Sequence, residues 1–156
     1  PHYWLSPREA LKIAARTKDI LIELNPSAKE LYITRYEALV NRIGVTDTLI
    51  RGILGGASSR SFMIFHPALG YLARDYNLEQ LSFEDEGKET SPLRIKELIN
   101  LADEKGIKVI LIQAEYDVKS AGVLAEETGA SLVRINPMNS DWESGVMDIV
   151  KALGNK

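Results

Sequence analysis

From Ser61 onward the sequence repeats one pattern four times: a short apolar run rich in β-formers, then a segment with helical periodicity. Ser61 to His66 reads as a strand and Pro67 to about Tyr76 as a helix. Leu78 to Phe83 is the second strand, and Ser91-Pro92 opens a helix through Glu104 that Gly106 closes. Lys108 to Gln113, with Val109-Ile110-Leu111-Ile112 at its heart, is the clearest buried strand. Val118 to Thr128 is helical with Gly129 as its stop, Ser131 to Ile135 is the fourth strand, and Asp141 to Leu153 is the last helix. Consecutive β-α units fold as a parallel sheet because each strand must return through a crossover helix. The expected class is therefore α/β, a four-stranded parallel sheet with helices on both faces.

The residues before Ser61 do not share that rhythm. Ser6-Pro7-Arg8-Glu9 has the spacing of a capping box with proline at the first helical position. A helix follows to about Glu23, with Ala10, Ile13, Ala14, Ile20, Leu21 and Leu24 on one face. Asn25-Pro26 starts a second, long helix carrying Leu31, Tyr32, Tyr36, Leu39, Val40, Ile43, Leu49, Ile50 and Ile53, with a weak point at Gly44-Val45-Thr46. Gly55 to Ser59 reads as a loop. This long helix precedes the α/β unit and reads as a connector to something else.

Composition narrows the function classes. The formal net charge of -3 supplies no basic field for nucleic acid. The chain has no cysteine, so disulfides, thiolate metal sites and thiol nucleophiles are excluded. No apolar run approaches the ~20 residues that span a bilayer. The chain opens Pro-His-Tyr-Trp where a start methionine or signal segment is expected, so it reads as a processed or truncated fragment.

In an open α/β sheet, ligands bind beyond the carboxyl ends of the strands. His66 follows the first strand there, Glu84, Asp85 and Glu86 the second, Gln113, Glu115 and Asp117 the third, and Asn136, Asn139 and Asp141 the fourth. One histidine among several carboxylates suits a divalent cation of borderline softness. Each residue also has a plainer reading. Asp141 stands where it can cap the last helix, His66 can be a half-buried ring bonded to a loop carbonyl, and His2 can be a loose terminal residue, although Tyr3-Trp4 beside it favours packing.

Several separated segments resemble one family. Pro-His-Tyr-Trp-Leu-Ser-Pro at 1 to 7 resembles the Asp-Pro-His-x-Trp-Leu segment of the solute-binding proteins that serve zinc and manganese ABC transporters. Phe65-His66-Pro67-Ala68-Leu69-Gly70-Tyr71 is similar to that family's His-x-Ala-Phe-x-Tyr-Phe segment. Residues 91–106, 124–130 and Asn136-Pro137-Met138 with Asp141-Trp142 follow its C-terminal lobe in order and spacing. Three departures stand out: no aspartate precedes Pro1 in these residues, Leu69 replaces phenylalanine, and Gln113 stands where many members have glutamate.

The resemblance implies two α/β lobes joined by one long helix, with the metal in the cleft. Residues 1–25 are then the end of an N-terminal lobe, 26–58 the connecting helix and loop, and 59–156 the C-terminal metal-binding lobe. It implies His2, His66 and Asp141 as metal ligands, with a further histidine from an N-terminal lobe outside this chain. Glu84 and Glu86 are expected as solvated rim charges. The implied function is extracytoplasmic, in the periplasm or as a cell-surface lipoprotein: capture of zinc, with manganese second, and delivery to an ABC transporter permease, without enzyme activity. The alternatives are a small metal-dependent α/β hydrolase and a metal-free flavodoxin-like binding module. No activated serine and no glycine-rich phosphate loop supports an enzyme. A melting temperature that rises with zinc and falls back with chelator is the expected outcome, and a chelator-insensitive one favours the metal-free module.

Overall fold

A computed structural model describes residues 2–84, 91–116 and 119–154. After a short 3₁₀ turn at Tyr3–Leu5 come helices α1 (Pro7–Leu24) and α2 (Lys29–Gly55), then β1 (Ser61–Ile64), α3 (Gly70–Asp75), β2 (Glu79–Ser82), α4 (Pro92–Lys105), β3 (Val109–Gln113), α5 (Lys119–Thr128), β4 (Ser131–Ile135) and α6 (Trp142–Gly154). The four strands form one sheet in the order β2-β1-β3-β4, and every pairing is parallel.

Alternation along β1 and β3 divides the interior into two cores, because successive side chains on a strand point to opposite faces. Phe62, Ile64 and Leu111 join Leu5, Ile50, Leu54, Leu72 and Ile149 on one face. Met63, Phe65, Ile110 and Ile112 join Leu98, Ala102 and Leu124 on the other. Helices α3, α6 and the end of α2 cover the first face, and α4 with α5 cover the second. The expected α/β class with helices on both faces is what the chain forms.

Local chemistry accounts for the helix ends. Ser6 Oγ accepts the Glu9 N–H and Pro7 occupies the first turn of α1, while Ser91 and Pro92 repeat the device on α4. Gly106 ends α4 at φ 61°, a left-handed conformation that costs a residue bearing a Cβ about 1–2 kcal/mol. Helix α2 runs through Gly44-Val45-Thr46 without a break.

Two expectations are corrected. The apolar face read along α1 and the first half of α2 is not buried here: Leu24 is 78% exposed and Leu31 54%. These faces instead border a groove of about 650 Å³ lined by Ile13, Leu21, Tyr36, Leu39 and Trp142. Only the second half of α2 docks, burying Ile43, Thr46, Ile50 and Leu54 at helical spacing. The second correction concerns Pro67, which does not open a helix. Ala68 N–H donates to the His66 carbonyl at 2.7 Å, making Pro67 the centre of a three-residue turn whose φ its ring already favours. Helix α3 starts three residues later, with Leu69 N–H donating to Gln80 Oε1 at 2.7 Å.

Arg60 fastens the connector to the sheet. Its guanidinium donates to Leu54 O at the end of α2 (2.7 Å) and to Tyr76 O and Asn77 O after α3. Replacing it by Met keeps the stem but leaves carbonyls at two helix ends without their charged donor. Arg60→Met should cost roughly 2 kcal/mol in urea denaturation; an unchanged midpoint would show that water serves these carbonyls equally well.

Candidate metal centre

The site is built by strand register. Parallel pairing sets Ile64 beside Ser82 on β2 and beside Leu111 on β3. Two residues further, the same registers set His66 beside Glu84 on one side and Gln113 on the other. Backbone bonds carry the ladders up to this point, with Phe65 N–H donating to Leu111 O and Glu84 N–H donating to Phe65 O. The side chains then engage. His66 Nδ1–H donates to the Glu84 carboxylate, whose two oxygens lie 2.8 and 2.9 Å away. Gln113 Nε2 donates to His66 O at 2.7 Å, and His66 N–H donates to Gln113 Oε1 at 3.3 Å.

This arrangement fixes a tautomer. An ionised carboxylate only accepts, so the proton sits on Nδ1 and the Nε2 lone pair is left available. A ring nitrogen freed in this way by a carboxylate behind the imidazole is the usual arrangement of metal-ligating histidines. Gln113 is 1% exposed and spends both ends of its amide on the His66 peptide, so the backbone below the ring is held as firmly as the ring itself.

His2 meets His66 edge-on, with ring centroids 5.0 Å apart, and Trp4 lies 5.2 Å from His2. His2 Nδ1 is buried and has no hydrogen-bond partner among the described residues. Its pKa lies below the ordinary imidazole value. Burial is the largest cause, followed by the His66 ring, while Glu115 and Glu84 pull the other way. The neutral form is thus favoured, which is the form that binds a cation. Folding disfavours the protonated ring, so acid works against the folded state as pH falls below the unfolded imidazole value of about 6.5. Two imidazoles with a buried orphan nitrogen and a carboxylate behind one of them are a donor set of the kind zinc takes.

Asp141 is not brought to this pair. Its carboxylate caps α6, with Oδ1 accepting the Ser144 N–H at 3.1 Å and Oδ2 accepting the Ser144 hydroxyl at 2.7 Å. These bonds hold its pKa below the usual carboxylate range, the Ser144 hydroxyl first, then the Ser144 backbone N–H, with Arg42 adding to them. Among the described residues, no three His, Cys, Asp or Glu side chains are grouped so as to hold a metal ion. Asn136 and Asn139 serve the loop: their side-chain oxygens accept the N–H groups of Met138 and Asp141, both at 3.0 Å.

Glu84 corrects a further expectation. It is not a solvated rim charge, since its side chain is 18% exposed and bonded to His66. The signal that finds it is the register, because a parallel offset of 18 residues from β1 to β2 carries His66 to Glu84. Gln113 follows from the β1 to β3 offset of 47 in the same way. Asp85, Glu86 and Asp117 lie outside the described residues.

The high-affinity zinc uptake system protein ZnuA of Bacillus subtilis is 30% identical over an alignment of 159 positions that takes in 97% of this chain and 50% of that protein. The zinc-binding lipoprotein AdcA of Streptococcus pneumoniae is 29% identical over 142 positions, 90% of this chain and 28% of that protein. The chain thus spans half or less of the length of these relatives. A crystal structure of ZnuA superposes with a TM-score of 0.94 at 32% identity, covering 99% of this chain and 61% of the solved one. Residues 1–153 match the family described as zinc-uptake complex component A, periplasmic, and the chain belongs to that family.

Proposed function

We propose that this chain is the metal-binding portion of an extracytoplasmic solute-binding protein that captures a divalent transition metal and delivers it to an ABC transporter permease in the membrane. Zinc is the first choice of cargo and manganese the second. The observation that carries this reading is the His2–His66 pair, 5.0 Å between ring centroids, with Glu84 holding the second ring so that its Nε2 is available. Two imidazoles favour zinc, whereas manganese is better served by additional carboxylates. The names of the relatives support zinc in particular, and the family description together with the lipoprotein relative supports a periplasmic or cell-surface location.

In this reading residues 1–25 close an N-terminal lobe, 26–58 connect, and 59–156 form the C-terminal lobe. The two histidines supply half of a tetrahedral zinc shell. Asp141 bonds Ser144 through both oxygens, so the aspartate acts first as a helix cap. A cargo site of this kind has no use for a reactive metal-bound water; its chemistry is capture and release, and the family is one of solute-binding proteins.

Calorimetry with zinc tests the assignment. His66→Ala and His2→Ala should each weaken binding by orders of magnitude, and wild-type affinity in His66→Ala would overturn the site. Glu84→Ala should weaken it by roughly 10–100-fold, the usual cost of losing the carboxylate behind a ligating imidazole. Asp141→Ala should lower the melting temperature while zinc affinity stays near wild type; a loss as large as that of His66→Ala would make Asp141 a ligand.

Acid should act on the same equilibrium. Zinc affinity is expected to fall as pH drops through about 6.5, because protons compete for the ring nitrogens. A flat profile between pH 7 and 5 would count against imidazole ligands.

A further inference from the structure

His2 belongs to a segment that cannot hold itself in place. Tyr3–Leu5 is a single 3₁₀ turn, too short to be stable alone. Downstream the segment is well anchored. Leu5 is 2% exposed in the first core, and the fully buried Ser6 donates its hydroxyl to Asp75 Oδ2 at 2.5 Å. His2 lies upstream of both anchors.

What holds that upstream part is a reciprocal pair of indole hydrogen bonds to α6 and the β4–α6 loop. Trp142 Nε1–H donates to Trp4 O at 2.6 Å, and Trp4 Nε1–H donates to Pro137 O at 3.1 Å. The receiving loop is itself stiff. Asn139 N–H donates to Asn136 O, Asp141 caps α6, and the loop lies so close over α6 that a Cβ on Gly145 would come within 2.8 Å of Asn139 Cβ. Rigidity therefore passes from α6 through the loop to Trp4, whose ring lies 5.2 Å from His2.

We propose that Trp142 is a positioning residue for metal capture: by donating to Trp4 O it fixes the segment from His2 to Leu5 and sets the His2 ring against His66. The inference rests on the metal-capture reading and adds to it a residue that touches no metal. It also gives the β4–α6 loop a part in the site, although its aspartate serves as a cap.

A double-mutant cycle on zinc affinity, measured by competition with a chromophoric chelator, tests this. Trp142→Phe keeps an aromatic ring in place and removes only the donor side of the indole. It should weaken zinc binding roughly ten-fold in the wild-type background, as loss of an outer-shell partner does. In the His2→Ala background it should have no further effect, because the residue through which it acts is gone. Equal losses in both backgrounds mean a general structural role and overturn the proposal, as does an unchanged affinity in the first. If Trp142→Phe does not fold, Trp4→Phe, which cuts the reciprocal bond to Pro137, is read through the same cycle with the same outcomes. Wild-type protein that binds no zinc, or His2→Ala that binds like wild type, overturns the function and this proposal with it. Normal zinc binding that depends on His2 while both tryptophan variants are silent overturns the latch alone.

Discussion

The register of β1 between β2 and β3 is the constraint on which the rest depends. A parallel strand held on both sides has no freedom to slip, since a shift of one residue would exchange Phe62 and Ile64 with Met63 and Phe65 between the two cores. The apolar packing that locks the strand therefore also decides what flanks His66. Glu84 arrives on one side and Gln113 on the other as a consequence of burial several residues away.

The surroundings of His66 reinforce that placement. Phe65 lies on Phe83 and Tyr116 with ring centroids 5.5 and 4.9 Å apart, a T-shaped cluster that closes the second core directly below the histidine. Pro67 turns the chain away at once, and the His66 carbonyl accepts from both Ala68 and Gln113. The imidazole is thus presented from a backbone with few degrees of freedom, which reduces the ordering cost of binding a cation. His2 is held differently, through its neighbour Trp4, whose carbonyl accepts from Trp142 and whose indole donates to Pro137 O, so the pair joins one preset ring to one that depends on long-range tethers.

Much of this was legible in the sequence, for identifiable reasons. Ser131 to Ile135 is a strand at the expected limits, and Val109 to Gln113, a run of four apolar residues and a glutamine, begins one residue after its expected start at Lys108. Ser6-Pro7 and Ser91-Pro92 cap the helices they were expected to cap. The expectations that failed were those decided by partners remote in sequence. Pro67 has the local look of a helix start, but Gln113 and Gln80 satisfy the backbone there and make a turn stable instead. Glu84 looks like a solvated charge until the register sets it beside His66. Asp141 is a different case: its local reading as an N-cap, three residues before Ser144, is realised in its bonds to Ser144, and its reading as a metal ligand is a matter for zinc binding. The apolar stripes of α1 and α2 were read correctly as stripes, but periodicity does not say what covers them.

The central claim is that the imidazoles of His2 and His66 hold the cargo together. X-ray absorption at the zinc edge, recorded on the zinc-loaded protein, addresses it most directly because imidazole rings leave a distinctive outer-shell scattering pattern. The account predicts at least two imidazoles with nitrogen at about 2.0–2.1 Å from zinc, and one fewer in His66→Ala. A spectrum of oxygen ligands without imidazole scattering, unchanged by that substitution, would contradict it.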